Sequence, residues 1–275
     1  MGSALGEAAA GEQADLAGLE AAALELAREA GAAIEAAFGA PIEVTYKDAA
    51  RGRERPVAAV SDVDRDVEAR LRARIAERFP DHGAIGEEIE SDRSEPEWLW
   101  VLDPVDGTSN FVNGLPLFAS SVGLLHRGVP VAGAVWCAST HRLRPGVYHA
   151  RRGGPLGFEG APYAPVAARG VLRGLAGMPA REAARGRTVD HRVLGTASSE
   201  SVYVAAGFLR FSLLRQVSIW DVAAGVVLVA AAGLPVRRQD GPHWRPLERF
   251  EAVPLRRWRG TLLLGDPGPE ETPEP

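Results

Sequence analysis

The sequence predicts an α/β protein, because segments with the periodicity of helices alternate along the chain with short apolar segments typical of strands. Polar turn residues follow several of these strands, and they include acidic side chains beside apolar sequence. The chain has 275 residues, enough for one large domain or two fused domains with a substantial core. We therefore expect helices packed on sheets, with the chemistry at the carboxyl ends of strands.

The first half begins with two predicted helices. Apolar residues at helical spacing predict a helix over 14–39, which Gly39 and Pro41 end. A second helix is predicted over 62–79, where apolar residues recur every four positions, at Val63, Val67, Leu71 and Ile75. Residues 47–56, between the two helices, are charged and include glycine, and they are predicted to form a mobile loop.

Strands are predicted next, because apolar runs bounded by turn residues occupy 83–88, 97–107 and 147–160. The segment 118–139 alternates like a hairpin around Arg127 and Gly128.

The second half is less regular. Residues 191–209 are predicted to form a strand that leads into a helix, and residues 219–234 an apolar helix that ends at Gly233. The segment 161–190 is rich in alanine, arginine, glycine and proline, and its pattern predicts no particular element. We expect an N-terminal half at 1–140, a C-terminal half at 141–266, and a disordered, proline-rich tail at 267–275.

Four acidic residues lie beside apolar or glycine-rich sequence, where water is scarce: Glu87, Asp103, Asp106 and Asp221. The turn after the strand Trp100 to Leu102 allows two of these acids and the carbonyl of Val105 to point inward. Carboxylates that converge in such a place repel one another unless a cation neutralises them. Oxygen ligands alone favour Mg²⁺ over zinc or copper, so the sequence predicts a magnesium site.

Each acid also has a simpler structural interpretation. Asp221 begins an apolar helix, where aspartate is a common cap. Glu87 can belong to a solvated loop, and Asp64 lies in the first turn of a helix, where the dipole favours any acid. Taken one at a time, these residues do not establish a metal site.

Taken together, three segments in this order closely resemble the signatures of the inositol monophosphatase family of Mg²⁺-dependent, lithium-sensitive sugar phosphatases: "GEE" at 86–88, "LDPVDGTSNF" at 102–111 and "WDVAAG" at 220–225. The segment "SDVDRDVE" at 61–68 also matches the family's aspartate-bearing helix. The resemblance implies a layered fold of the αβαβα type with the metal cluster at the junction of its halves. The segment before residue 192 is shorter than is usual in the family, so we expect a reduced second half.

Carried over residue by residue, the resemblance implies two or three Mg²⁺ ions held by Glu87, Asp103, Asp106, Asp221 and the carbonyl of Val105. Asp64 and Thr108 match the pair that orients and deprotonates the attacking water, a task that Glu87 would share. The backbone of five residues is expected to contact the substrate: Gly107, Thr108, Gly195, Thr196 and Ala197.

Two positions depart from the family pattern. Leu214 stands where the family has an acid that contacts a substrate hydroxyl, and leucine cannot accept that hydrogen bond. Ala231 replaces the glutamate of the family's "EAGG" ending, which we interpret as a packing change. Arg210 and Arg215 lie near Leu214 in sequence, and they either meet a second anionic group of a substrate or face solvent.

We therefore expect hydrolysis of a small phosphate monoester, with inositol 1-phosphate as the reference substrate. Fructose 1,6-bisphosphate, a nucleotide 3'-phosphate such as adenosine 3',5'-bisphosphate, and histidinol phosphate are the alternatives within the family. An alternative from another class is a non-catalytic, metal-dependent binding or regulatory module that keeps the fold.

The remaining expectations concern partners and location. The net charge of −5 and the lack of a long basic run do not favour nucleic acid as a partner. The sequence contains neither a signal-peptide pattern nor an apolar run of membrane-spanning length, which predicts a cytoplasmic protein that does not bind membranes. Because family members are commonly homodimers, we expect a homodimer.

Overall fold

The computed structural model describes residues 2–40, 43–46, 59–90, 96–165, 174–179, 189–252, 254–268 and 272–273. The predicted loop at 47–56 lies outside these described residues. Within them, no helix combines the length and the apolar character that a membrane span requires.

Both predicted helices of the first half are confirmed, and a small hairpin lies between them. The elements in chain order are α1 (Gly2–Ala37), β1 (Val44–Tyr46), β2 (Ala59–Ser61) and α2 (Asp62–Arg78). β1 and β2 pair in an antiparallel manner. α1 begins well before the predicted start near residue 14, because alanine, which has the highest helix propensity, is frequent in the preceding segment.

Seven strands form the first sheet and pair in chain order: β3 (Gly83–Gly86), β4 (Trp98–Asp106), β5 (Ala119–His126), β6 (Val129–Cys137), β7 (Gly146–Arg151), β8 (Gly157–Phe158) and β9 (Ala161–Pro162). The short helix α3 (Thr108–Val112) follows β4. β3 and β4 are parallel, and the other neighbours are antiparallel. The predicted hairpin is confirmed: Arg127 and Gly128 both have positive φ, as a type I′ turn requires.

The second sheet has six strands in the order β11-β10-β12-β15-β13-β14. The elements of this half are β10 (Gly174–Gly177), β11 (Val189–Arg192), α4 (Ala197–Ala205), β12 (Phe211–Ser218), α5 (Ile219–Ala231), β13 (Val236–Asp240), β14 (His243–Pro246), a 3₁₀ helix (Leu255–Arg257) and β15 (Arg259–Gly265). β10 and the start of β11 lie in the segment 161–190, for which the sequence predicted no element. The predicted strand before α4 and the apolar helix α5 are confirmed.

Three apolar clusters show how the layers are stacked. α1 and α2 cover one face of the first sheet, and α4 and α5 fill the space between its other face and the second sheet. A smaller cluster lies on the outer face of the second sheet. The layered α/β fold is thus confirmed, although no helix among the described residues covers that outer face.

The division into halves and the disordered tail remain predictions. Within the segment 267–275, the carbonyl of Pro273 accepts a 2.9 Å hydrogen bond from Trp244 Nε1 on β14.

Two glycines let α5 lie unusually close to the first sheet. Gly123 on β5 and Gly133 on β6 are direct cross-strand partners. A Cβ at Gly133 would lie 2.7 Å from the Cα of Ala224, and one at Gly123 would lie 2.9 Å from the Ala224 nitrogen. Because these neighbours are backbone atoms of α5, they cannot turn aside as a side chain would. The contact fixes the height of α5 above the sheet, and with it the position of Asp221 in its first turn.

A buried ionic cluster attaches α1 to the first sheet. Glu20 Oε1 lies 2.7 Å from His149 Nδ1, and Glu20 Oε2 accepts a 2.6 Å hydrogen bond from Arg151 Nη1. Burial raises the pKa of Glu20, but the hydrogen bonds and charges of His149 and Arg151 outweigh burial and leave this pKa below its ordinary value. The carboxylate therefore stays ionised and holds helix to strand.

The close approach at Gly133 predicts that replacing glycine by alanine destabilises the protein at this position, although the same replacement stabilises it at an exposed helical position. Gly133→Ala is expected to lower the free energy of unfolding by about 1–3 kcal/mol, because the new methyl group meets helix backbone. Gly18→Ala is the matched control, since an added Cβ at this exposed helical position meets nothing within 4 Å. That control is expected to raise the free energy by about 0.5–1 kcal/mol. Urea denaturation measures both, and a Gly133→Ala protein as stable as wild type would contradict the packing argument.

Candidate metal centre

Asp103 and Asp106 lie at the carboxyl end of β4, where the ladder to β5 is interrupted. Asp103 pairs with Ser121 and Asp106 with Ala119, so β4 contains one residue more than β5 between these two pairs. Such a bulge changes the direction of the side chains that follow it. Gly107, with φ of 88°, then turns the chain into α3 through a left-handed conformation that favours glycine.

Asp103 is the centre of the acidic cluster. Its side chain is buried, and no group among the described residues forms a hydrogen bond with its Oδ1 atom. Burial raises the pKa of Asp103 well above its ordinary value, and the charges of four nearby acids raise it further: Glu87, Asp106, Asp221 and Asp64. The structure therefore brings together all five acids that the sequence singled out.

Asp106 is held by the beginning of α4. Its Oδ2 atom accepts hydrogen bonds from the backbone N–H of Ser198 and, at 3.1 Å, from Thr196 Oγ1. Burial raises the pKa of Asp106 to about 6, although these hydrogen bonds oppose the effect. Ser198 Oγ also donates to the backbone carbonyl of Asp221 at 3.0 Å, so one serine links two of the acidic segments. Sequence reasoning missed Ser198, because an isolated serine at a helix start carries no distinctive signal.

Asp221 serves as a helix cap within the acidic cluster. It lies in the first turn of α5, where its Oδ2 atom accepts a 2.6 Å hydrogen bond from the backbone N–H of Ser218. Burial and the charge of Asp106 raise the pKa of Asp221 to about 8. The capping interpretation and the ligand interpretation are therefore compatible, because the cap uses only one carboxylate oxygen.

Asp64 and Thr108 are in contact across the site. Thr108 Oγ1 lies 3.1 Å from Asp64 Oδ1 and 2.8 Å from the carbonyl oxygen of Val105. A hydroxyl has one proton, so it donates to one of these oxygens at a time. Asp64 is buried near the start of α2, which brings a carboxylate from a different layer to the turn after β4.

The loop that carries Glu87 is fixed by a buried ion pair of α2. Glu68 accepts hydrogen bonds from the backbone N–H groups of Glu88 at 2.7 Å and Ile89 at 3.2 Å, and from Arg72 Nε at 2.7 Å. Arg72 in turn donates to the carbonyls of Ala84 and Ile89, both at 2.8 Å. The sequence pattern places Glu68 in the segment 61–68 but does not predict its contacts with the Glu87 loop.

The residues predicted to contact the substrate lie side by side. A Cβ at Gly107 would lie 3.1 Å from the Cβ of Thr196 and 3.4 Å from the carbonyl of Gly195. Thr196 caps α4, whose first residue is Ala197. Asn110 of α3 donates to the carbonyl of Leu194 at 2.9 Å and so ties the two segments together. Their contact with a substrate remains a prediction.

The residues that depart from the family pattern lie in different surroundings. Leu214 is buried in the core between α5 and the second sheet. Arg215 follows it inside a bulge of β12, and its Nη1 atom lies 3.4 Å from Gln239 Oε1. Arg210 precedes the first residue of β12, at the opposite end of the strand from α5, and it donates to the carbonyl of Asp266. The two arginines therefore do not act together at one place.

The donor atoms fit a hard divalent cation. All side-chain donors are carboxylate oxygens, and the orphaned Oδ1 of Asp103 is a buried polar atom that needs a partner. In Asp106 and Asp221, the recorded hydrogen bonds from described residues use only Oδ2. In the described part of the chain, no three side chains of acids, histidines or cysteines are already arranged so that they could coordinate one metal ion together. The acids are therefore close neighbours that repel one another, rather than a closed cage.

Comparison with known proteins identifies the family of this chain. The profile of the inositol monophosphatase family matches residues 15–261. The probable inositol 1-monophosphatase ImpA of Mycobacterium tuberculosis is 36% identical over 205 residues, 68% of this chain and 74% of that protein. A fructose-1,6-bisphosphatase/inositol-1-monophosphatase of Aquifex aeolicus is 31% identical over 189 residues, 63% of this chain and 70% of that protein.

Solved structures show the same architecture. The inositol monophosphatase from Anabaena (Nostoc) sp. PCC 7120 superposes with a TM-score of 0.66 over 91% of each chain, at 23% identity, which shows a shared fold. Two mixed sheets with helices between them and a cluster of acids after β4 define a layered α/β protein with a candidate cation site. More particularly, the chain belongs to the inositol monophosphatase family, whose members are phosphoric monoester hydrolases and generally depend on Mg²⁺. The resemblance noted in the sequence is thereby confirmed.

The repulsion at Asp103 predicts that Asp103→Asn stabilises the metal-free protein but reduces the stabilisation that Mg²⁺ provides. In metal-free protein, Asp103→Asn is expected to raise the free energy of unfolding by about 1–3 kcal/mol, because it removes a carboxyl group whose ionisation is opposed by burial and by the neighbouring acids. Wild-type protein is expected to gain about 2.7 kcal/mol from Mg²⁺ at 100 times its Kd, and the variant much less. Thermal unfolding with EDTA and with Mg²⁺ measures both effects. Asp66→Asn, an exposed change in α2, is the control, and an equal Mg²⁺ response in Asp103→Asn would contradict the assignment.

Proposed function

We propose that this protein hydrolyses a small phosphate monoester with Mg²⁺ as cofactor, using two or three ions. The observation that carries the proposal is the buried Asp103 Oδ1 atom, which has no hydrogen-bond partner among the described residues and lies in a cluster of acids, beside the contact between Thr108 and Asp64. The cluster supplies sites for cations, and the hydroxyl–carboxylate pair supplies a means of activating water.

The residues that would hold Mg²⁺ are Glu87, Asp103, Asp106, Asp221 and the carbonyl of Val105. When bound, Mg²⁺ supplies Lewis acidity: it offsets the negative charge of the phosphate and lowers the pKa of water. The chain itself holds the ligands in place, because Ser198 fixes Asp106 and Ser218 fixes Asp221.

Thr108 and Asp64 would activate the attacking water. With the Thr108 proton donated to Asp64 Oδ1, the lone pairs of Thr108 Oγ1 are available to accept a hydrogen bond from that water. The proton lost by the water would then pass through Thr108 Oγ1 to the Asp64 carboxylate. Glu87, in the same cluster of acids, would assist this proton transfer. Removing either partner breaks this route while leaving the four carboxylate ligands in place.

The substrate would lie between α3 and α4. The backbone N–H groups of Gly107 and Thr108 are proposed to donate to phosphate oxygens, because Gly107 turns the chain there with positive φ. The backbone of Gly195, Thr196 and Ala197 would line the pocket for the rest of the substrate, because the Gly195 carbonyl and the Thr196 side chain lie against Gly107.

Inositol 1-phosphate is the first candidate substrate, and fructose 1,6-bisphosphate is the second. The name of the Aquifex relative includes both activities. Leu214 is a buried leucine, so this position offers neither a carboxylate nor another polar group to a substrate hydroxyl, which weakens the case for inositol. Arg215, one residue further along, is a cation that a second phosphate group could meet.

We further propose that the protein is a cytoplasmic homodimer and that Li⁺ inhibits it at a Mg²⁺ position. Binding of nucleic acid or membrane forms no part of the proposal. A non-catalytic binding module is the alternative from another class, but it does not account for the Thr108–Asp64 contact.

The experiment that tests the function is phosphate release, with Mg²⁺, with EDTA and with added Li⁺. The substrates are inositol 1-phosphate, fructose 1,6-bisphosphate, adenosine 3',5'-bisphosphate and histidinol phosphate. We expect Mg²⁺-dependent turnover of at least one of them and inhibition by Li⁺. A silent panel with protein that binds Mg²⁺ would contradict the proposal and favour the non-catalytic module.

The proposed route of the proton predicts a split between turnover and metal binding. Thr108→Ala is expected to lower kcat by about 10²–10⁴-fold, because water loses its route to Asp64, while the Mg²⁺ concentration for half-maximal rate changes little. Asp64→Asn is expected to behave alike. Ser109→Ala removes the neighbouring, exposed hydroxyl and serves as control. Steady-state kinetics over a Mg²⁺ series measures both quantities, and a proportional loss of metal affinity in Thr108→Ala would argue against its assigned role.

A further inference from the structure

Arg256 contacts the loop that carries Glu87, although it lies far along the chain from every motif. It belongs to the 3₁₀ helix Leu255–Arg257, between β14 and β15. Its Nε atom donates to the carbonyl of Gly86 at 3.2 Å, and its Nη2 atom donates to the carbonyl of Glu87 at 3.1 Å. One planar guanidinium thus binds two successive carbonyls, a geometry that suits arginine and not lysine.

The same guanidinium lies over the ring of Trp220, the residue before Asp221. Its central carbon is 5.6 Å from the ring centroid, within the range of a cation–π interaction. Trp220 is 6% exposed, so its ring is a fixed surface rather than a mobile one. Arg256 therefore contacts two segments of the metal centre at once, one at the end of β3 and the other at the start of α5.

The contacts that hold this loop from α2 do not make the same bridge. Glu68 and Arg72 hold the loop from α2, and they connect it only to the first half of the chain. Arg259 also lies over Trp220, at 4.8 Å, but its recorded hydrogen bonds are to the carbonyls of Arg256 and Trp258. Glu90 lies 3.7 Å from Arg256 on the exposed side, where an ion pair contributes little.

We propose that Arg256 is a positioning residue of the metal centre, which sets the distance between the Glu87 segment and the Asp221 segment. This inference rests on the proposed function, because it takes both acids to be metal ligands. Partners that orient ligands from outside the coordination sphere strongly affect metal affinity. Arg256 does so through the backbone carbonyl of Glu87 and through Trp220, the neighbour of Asp221.

The test compares Arg256→Ala, Arg256→Lys and Arg257→Ala. Arg257 is the matched control, because it is an exposed arginine of the same 3₁₀ helix. Metal binding is measured without substrate, as Tb³⁺ luminescence sensitised by tryptophan, and the affinity for Mg²⁺ by competition. Thermal unfolding shows whether each variant is folded.

We expect Arg256→Ala to weaken Tb³⁺ and Mg²⁺ binding by about 10–100-fold, while Arg257→Ala leaves binding unchanged. Arg256→Lys is expected to recover only part of the affinity, because an ammonium group keeps the positive charge but lacks the planar pair of N–H donors that binds both carbonyls. In kinetics, Arg256→Ala is expected to need more Mg²⁺ for half-maximal rate, with turnover largely restored at saturating Mg²⁺.

Two results would overturn the inference. One is folded Arg256→Ala protein with the same Tb³⁺ affinity as Arg257→Ala. The other is wild-type affinity in Arg256→Lys, which decides the matter even where the alanine variant does not fold. Because Tb³⁺ binding needs no turnover, a wild-type protein that hydrolyses no phosphate ester would disprove the proposed function and leave this test intact.

Discussion

Repulsion between buried carboxylates is the constraint on which the rest of this structure depends. Asp103 lies in the interior with four acids around it, and its Oδ1 atom has no hydrogen-bond partner in the described part of the chain. The pKa values of Asp106 and Asp221 are also raised. Several acids can remain so close together only if the surrounding structure holds them in place or a cation offsets their negative charge. Both solutions are visible here, as backbone N–H groups that bind two of the acids and as donor atoms suited to Mg²⁺.

The fold resists this repulsion with contacts from every layer. α2 carries Asp64 and, through Glu68, holds the Glu87 loop; α4 binds Asp106; and α5 carries Asp221. The glycine pair on β5 and β6 lets α5 lie against the first sheet at a fixed height. Close packing at Ala224, one helical turn after Asp221, thus sets where that acid can be. Leu214, at the position where the resemblance implies a substrate-binding acid, is part of the core and offers no polar contact.

The sequence predicted the acids of the site better than the residues that support them. Asp103 and Asp106 occur within one short turn and Asp221 follows a tryptophan at a helix start, so local pattern was sufficient. Ser198, Glu68 and Arg256 reach the site through long-range contacts, and nothing in their own neighbourhood indicates a role. β10 was missed because its sequence, Gly-Leu-Ala-Gly, has almost no strand propensity; a Cβ at Gly177 would lie 2.3 Å from Glu200 Oε2, so packing selects a residue that propensity disfavours.

The most direct test of the central claim is anomalous diffraction from crystals of this protein grown with Mn²⁺, a substitute for Mg²⁺ with a strong anomalous signal. We expect anomalous peaks within bonding distance of Asp103 Oδ1, with Glu87, Asp106 or Asp221 completing the ligand set, and loss of these peaks in Asp103→Asn. Peaks confined to exposed carboxylates, with Asp103 Oδ1 still unpaired, would contradict the view that the buried acids exist to hold cations.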